Sequence, residues 1–419
     1  MIKLLVIADD FTGALDTAVQ FTKKGVATMV LTDGGFPTGG VPCHMKVLVV
    51  NSESRHLPPG TAYRLVYEVA HQAKLAGVPH IYKKTDSALR GNIGAELSAV
   101  MDAYGSTPLY FLPAFPSMGR VTKNGAQFID GVPVNQSVFG RDPFEPVMDF
   151  DIGSIIRRQS NVPVYHYPAG RLPGLSYGGI HVADAETDTD LLQACTVLQK
   201  NGPPPLLGGC AGFAACLPEL LGLPSEMDFS VLPFRKILVL SGSINPVTFK
   251  QTEHAGKNGF LCITLEPKQK LTEGFFSTPE GQHFVSRLEE ALGDNRYVLV
   301  ASARTEQDVA QSDAVAQMKG LIPAQAGGVI ARNMGALGAE ICKRHPDLSV
   351  FIIGGDTLGA FLHSMGSGTI FPQGELLQGI VQSLIYFNNE PRAIVTKSGG
   401  FSDENALIES AEILTRCEK

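Results

Sequence analysis

The feature that most restricts the fold is a unit that recurs along the chain: a short apolar run, a polar or glycine-rich turn, then apolar residues at helical spacing. The first copy runs from Lys3 to Ala8 into Asp9-Asp10-Phe11-Thr12-Gly13, after which Leu15, Ala18, Val19 and Thr22 fall on one helical face. Strand, turn and helix in that order form the βα unit of an open α/β sheet, and such sheets bind ligands at the carboxyl ends of their strands. Asp9 and Asp10 are expected there. Further strands are expected at Ala27 to Leu31, Val47 to Val50, Pro79 to Tyr82 and Leu109 to Leu112.

The densest polar turn is Tyr82 to Leu97, YKKTDSALRGNIGAEL. Ile93, Leu97, Val100, Met101 and Tyr104 give the helix after it one apolar face. Lys83, Lys84, Asp86, Ser87 and Arg90 precede that helix, whose free amides and dipole favour negative charge, so the turn suits an anionic ligand. Residues 117 to 147 read as loops and short strands with a β-hairpin insertion around Ala126 to Pro133, and Gly208-Gly209 reads as a glycine-rich turn before a small-residue helix.

Composition shifts between Pro224 and Arg235, which divides the chain into domains at 1–230 and 235–419. Beyond the boundary the rhythm restarts. Three turns, Ser241-Gly242-Ser243, Gly354-Gly355-Asp356-Thr357 and Lys397-Ser398-Gly399-Gly400, each follow an apolar strand and precede a helix. Glycine lets a backbone approach a ligand closely and helix amides donate to phosphate oxygens, so three such turns on one sheet edge point to a nucleotide.

Several classes are excluded. The 419 residues carry a formal net charge of −7, which gives no basic footprint for nucleic acid. Seven scattered cysteines without a C-x-x-C pair read as reduced thiols, and the histidines lack metal-ligand spacing. The opening MIKLLVIADD is too short an apolar run for a secretory segment, and no stretch suits a membrane, so a cytoplasmic location is expected. There is no Walker A sequence, no G-x-G-x-x-G after the first strand and no G-x-S-x-G elbow. Asp9-Asp10-Phe11-Thr12 resembles the aspartyl-phosphate motif of haloacid-dehalogenase-like phosphatases but lacks the second aspartate two residues on.

Six motifs, in order, resemble the four-carbon acid sugar kinases: IADDFTGALD (7–16), KKTDSALRGNIGAEL (83–97), PAFPSMGRVTKNGAQFIDGVPV (113–134), SGSINPVTFKQ (241–251), GGDTL (354–358) and TKSGGF (396–401). The resemblance implies two α/β domains, each an open, largely parallel sheet flanked by helices. The first would bind a threonate or erythronate and the second ATP, with ligands in the cleft between them and phosphate passing to the terminal hydroxyl. It implies substrate contacts at Asp10, Arg55 and Lys84-Thr85-Asp86-Ser87, and nucleotide contacts at Ser243, Gly354 to Thr357 and Gly400. Arg90 is a further candidate for the acid's carboxylate, Lys397 and Gly399 for the phosphates, and Mg2+ for bridging them, its ligands left open. Asp86 is the expected base with Asp10 orienting hydroxyls, the reverse being the alternative. A Mg2+-dependent sugar-phosphate phosphatase and a non-catalytic sugar-acid sensor stay open as other functions. D-threonate is the first expectation among the stereoisomers, whose chirality is read by pocket shape, and the oligomeric state is left open.

Overall fold

The structure, a computed structural model, describes residues 1–416 except 33, 38, 40, 106, 143–144 and 174–176. Cys417 lies outside the described residues, and the other six cysteines are free thiols. The chain forms two compact units, Met1–Asp228 and Phe229–Lys419.

In the first unit the strands are β1 (Leu4–Ala8), β2 (Thr28–Leu31), β3 (Val47–Asn51), β4 (His80–Lys84), β5 (Leu109–Leu112), β6 (Arg120–Lys123), β7 (Ala126–Ile129), β8 (Val132–Pro133), β9 (Val164–Tyr167), β10 (Ile180–Ala183) and β11 (Leu206–Gly209). Eight of them run parallel in the order β2-β3-β1-β4-β11-β5-β10-β9. β1 is wholly buried, as its unbroken apolar sequence requires. Register puts Ala8 beside Asn51 and Lys84, and Gly209 beside Lys84 and Leu112, so these strands end in one row. After β3 the chain crosses β1 to reach β4. The topological switch point therefore lies between β1 and β4, where Asp9-Asp10 and Thr85-Asp86 emerge.

β6, β7 and β8 make a separate antiparallel sheet, one strand more than the expected hairpin. It rests on the 86–90 turn: Ala88 packs with Ile129, Val134 and Val147, and the Gln127 amide donates to the Ser87 carbonyl, 2.9 Å.

In the second unit β12 (Lys236–Ser241), β13 (Leu261–Thr264), β14 (Tyr297–Ala301), β15 (Leu348–Ile353), β16 (Thr369–Leu377), β17 (Ile380–Phe387) and β18 (Glu390–Lys397) follow the order β13-β14-β12-β15-β18-β17-β16. The first five in that order are parallel, and β17 runs antiparallel to both β18 and β16. The chain passes from β14 over β12 to β15, so the switch point here lies between β12 and β15.

Two expectations are corrected. Gly208-Gly209 is not a turn but the end of β11, between β4 and β5. Gly209 has φ +153° and a methyl on it would strike the Leu112 carbonyl, while one on Gly208 would lie 3.0 Å from Leu97 Cδ2. Close strand-to-strand and strand-to-helix packing, and no reversal of the chain, requires those glycines. Lys83 and Lys84 belong to β4 and are buried, where a polar turn after a strand ending at Tyr82 was expected. The β16–β17 hairpin was not anticipated. Its turn is Gln378-Gly379, with φ +73° at Gly379; the next turn, Asn388-Asn389 between β17 and β18, has φ +51° and +64°, the left-handed backbone that two-residue hairpins use.

Backbone strain and steric overlap each cost of order 1–3 kcal/mol, so Gly209→Ala is expected to lower unfolding free energy by about 2 kcal/mol or more in urea titrations. An unchanged midpoint would contradict the packing role assigned to this residue.

Candidate active site

The first cluster sits at the β1/β4 switch point. Asp10 caps the helix Phe11–Thr22 by accepting from the Gly13 amide at 2.9 Å, and its other oxygen pairs with Arg55 Nη1 at 2.8 Å. Asp9 is 2% exposed and accepts from Arg55 Nε at 2.7 Å. Burial alone would raise its carboxyl, but Arg55, Lys83 and Lys84 outweigh that and hold it below the usual carboxylate range. Its second oxygen, Oδ1, is buried and has no hydrogen-bond partner among the described residues.

Asp86 is crowded with donors. Arg90 grips it twice, Nε to Oδ2 at 2.9 Å and Nη2 to Oδ1 at 3.1 Å, and the amides of Ala88 and Arg90 add 3.2 and 3.3 Å bonds to Oδ2. Arg55 Nη2 stands 3.9 Å from Oδ1. Against the upward push of burial, Arg55 and Arg90 keep this carboxyl far below its ordinary range. Arg90 is itself shared with Asp142, 3.0 Å away. Lys84 donates to the Thr85 carbonyl at 2.9 Å, and the fully buried Thr85 points its hydroxyl at the Gly209 carbonyl, 3.4 Å. Asp10, Arg55, Lys84, Asp86 and Arg90 are thus brought together, while the Thr85 side chain is turned into the sheet.

Beneath them lies a layer that the sequence did not reveal. Lys83, fully buried, pairs with Glu96 Oε2 at 2.9 Å and donates to the carbonyls of Ile7 and Lys84. Burial lifts the Glu96 carboxyl despite Lys83. The Ser54 hydroxyl donates to Glu96, and Asn92 Nδ2 reaches the carbonyls of Ser54, Arg55 and Leu57 at 2.9, 3.3 and 2.8 Å. The loop carrying Arg55 is held from below. At the start of helix Ile93–Tyr104 the amides of Gly94 and Ala95 are taken by Gln159 Oε1, at 3.0 and 3.4 Å, where free amides for a ligand were expected.

The second cluster sits at the β12/β15 switch point and interlocks the three glycine turns. The Gly242 amide donates to the Ile353 carbonyl and the Gly354 amide to the Lys397 carbonyl. A methyl on Gly242 would collide with Thr357, and one on Gly399 with the Ser243 hydroxyl. Ser243 Oγ meets Thr248 Oγ1 at 3.0 Å, and Thr248 donates to the Gly399 carbonyl at 2.9 Å. Asn245, which caps the helix Pro246–Lys257, places Nδ2 where it would be 3.5 Å from a methyl on Gly400. Gly354, at φ +112°, precedes helix Gly355–Met365 with no side-chain cap. Asp356 on its first turn is exposed. Lys397 is buried, donates to the carbonyls of Ser398 and Gly399 at 2.8 and 3.3 Å, and has no carboxylate partner among the described residues. Burial pulls it down to about 8.

Removing one partner of a buried ion pair costs about 3–5 kcal/mol, so Glu96→Gln is expected to destabilise by that order in urea, and Lys83→Met/Glu96→Met to recover most of the loss. Equal losses in both variants would contradict a pairing role. Lys397 titrates near 8 when folded and about 10.4 when unfolded, so between those values the unfolded chain binds the extra proton and stability rises with pH. Lys397→Met should flatten that rise, measured by denaturation at pH 7 and pH 10; an unaltered gradient would refute it.

Comparison with known proteins follows the same division. Residues 4–217 match the model of a sugar-binding N-terminal domain and residues 238–407 that of a nucleotide-binding C-terminal domain. The chain is 30% identical to a D-threonate kinase of Salmonella typhimurium over 97% of both chains. It is 24% identical to a D-erythronate kinase of Heliobacterium modesticaldum, covering 99% of this chain and 97% of the other. A 3-oxo-tetronate kinase of Cupriavidus necator is 27% identical over 96% of this chain and 95% of its own. A solved chain from Salmonella typhimurium shares the fold with TM-score 0.82 at 22% identity, over 98% of this chain and 99% of its own. Domain models on both halves and near full-length agreement with kinases make the same point as the motifs: the chain belongs to the four-carbon acid sugar kinase family, phosphotransferases that act on a hydroxyl group.

Proposed function

We propose that this kinase transfers the terminal phosphoryl group of ATP to the 4-hydroxyl of a four-carbon sugar acid, with D-threonate as the first substrate to test. The observation that carries the reading is the division of labour between the two switch points. One gathers cations and carboxylates suited to a small polyhydroxy acid; the other has glycine turns, an uncapped helix start and a buried lysine suited to phosphates. The name of the 30% identical relative supports D-threonate.

The acceptor hydroxyl must lose a proton as it attacks. Asp86 was the expected base, yet both its oxygens are engaged by Arg90 and two amides, and its carboxyl is held far down, which weakens it as a proton acceptor. Asp10 is more exposed, and its Oδ2 meets only Arg55 among the described residues. We therefore assign Asp10 to the hydroxyl and Asp86 to holding Arg55 and Arg90. A phosphatase nucleophile at Asp9 fits poorly, since that side chain is buried and ion-paired.

Magnesium chemistry fits the second cluster. Asp356 is exposed and forms no hydrogen bond or ion pair among the described residues, and Mg2+ is usually held by one or two carboxylates together with substrate phosphates. Asp356 would hold the ion, which when bound neutralises phosphate charge. Lys397 would add positive charge from the β18 end, and Ser243, Gly354, Gly355, Thr357, Gly399 and Gly400 would line the phosphates.

ADP release should be stimulated by at least one of D-threonate, L-threonate, D-erythronate and L-erythronate; stimulation by none refutes the reading. Asp10→Asn keeps the helix cap, because asparagine caps as well as aspartate, but should lower kcat about 10²- to 10⁴-fold. Turnover close to wild type in Asp10→Asn would remove Asp10 from the chemistry.

A further inference from the structure

Charge bookkeeping in the first cluster leaves two cations without a carboxylate among the described residues, Lys84 and Arg120. Arg55 is divided among Asp9, Asp10 and Asp86, Arg90 between Asp86 and Asp142, and Lys83 is taken by Glu96. Arg120 is different. Its backbone is pinned to Phe115 by bonds of 2.7 and 3.1 Å at the start of β6, but its guanidinium makes no hydrogen bond or ion pair among the described residues, and its Nε is buried without a partner. A buried donor left unsatisfied costs free energy and is uncommon in a native fold unless water, an ion or a ligand completes it.

Position ties Arg120 to the site. Its guanidinium carbon lies 5.8 Å from the centre of the Phe139 ring, and that of Arg90, which grips Asp86, lies 5.1 Å from the same ring. The small β6–β8 sheet that carries Arg120 is fastened to the 86–90 turn through Ala88 and through Gln127. Burial raises the Cys210 thiol; Lys84 and Arg120 act against that and Asp86 with it, so all three charges are felt at one sulfur.

We propose that Arg120, together with Lys84, binds the carboxylate of the sugar acid and so makes this kinase select acids over neutral polyols. A carboxylate entering here would need to displace aspartates from Arg55 or Arg90, whereas Arg120 has donors to give. Lys84 adds an ammonium that donates to a carbonyl and meets no carboxylate among the described residues. Arg55 and Arg90 then serve as a frame for Asp10 and Asp86 and do not read the acid's charge.

The inference rests on the sugar-acid kinase reading, and one experiment separates their failures. Wild type and Arg120→Gln are assayed with D-threonate, D-erythronate and the matched neutral alditols threitol and erythritol. Wild type should prefer the acids. In Arg120→Gln the KM for the acid should rise about 10- to 100-fold, the loss expected for a charge-assisted contact, with the KM for ATP unchanged and the acid-to-alditol ratio of kcat/KM falling by a similar factor. Arg120→Lys, which keeps the charge and the packing, should retain part of the acid preference and gives a readable ratio should the glutamine variant be insoluble. Wild type inactive on every acid overturns the kinase reading. Wild type active, with the acid preference kept within about twofold in Arg120→Gln, or in Arg120→Lys where only that variant is soluble, overturns the role of Arg120 alone, as a charge-assisted contact is worth more than that.

Discussion

Arg55 is the constraint around which the carboxyl edge of the first sheet is built. Two consecutive aspartates at the end of a buried strand repel one another, and Asp9, at 2% exposure, has almost no water to screen it. One guanidinium resolves this by spanning both, at 2.7 and 2.8 Å. The planar fork is what makes that possible; a lysine would place a single point charge where two separate directions are required. The cost is desolvation of the arginine itself, which its three carboxylate neighbours more than offset, raising its affinity for the proton. Ser54, Glu96, Asn92 and Lys83 then make sense as the support that keeps the Arg55 loop where the aspartates need it.

The two units solve one topological problem twice. In each, the chain lays strands to one side of the first, then crosses it to continue on the other, and a crevice opens where the connections diverge. Different residues fill the two crevices, and this decides which ligand each can take. The β1/β4 crevice holds charges already paired with one another, so it favours a molecule offering several hydroxyls and one modest charge. The β12/β15 crevice has its glycines against Thr357 and Ser243 and a helix start at Gly355 without a side-chain cap, which suits a larger, more anionic group.

Much of this was legible in the chain. Uninterrupted apolar runs ending in polar or glycine turns located β1, β3, β12, β15 and β18, and the residues after them fall at the two switch points. Local rules failed where tertiary packing set the residue. Gly208-Gly209 looks like a turn because glycine usually marks one, but here it is small so that β5 and the helix Ile93–Tyr104 can approach. β16 escaped notice because Pro372 and Gly374 interrupt it, and its pairing with β17 shifts register at those residues. Lys83 reads as part of the polar turn and Glu96 draws no notice, because either charge alone belongs in water; only their pairing, thirteen positions apart, permits burial.

Counting cations is a poor guide to where an anion binds, because a cation already held by a carboxylate has little field left to offer. By that measure Arg55 and Arg90, the arginines that grip Asp9, Asp10 and Asp86, are the least available, and their carboxylate partners make the site near them closer to neutral than its sequence suggests. The same reasoning marks Lys397 on the nucleotide side: it has been stripped of water without gaining a carboxylate, and burial lowers its affinity for the proton. An incoming phosphate would supply the missing counter-charge and raise that affinity again, so ligand binding and protonation reinforce one another there. A buried cation with carbonyls for company, beside a helix start that lacks a cap, is thus a stronger sign of an anion site than a larger cluster of paired arginines.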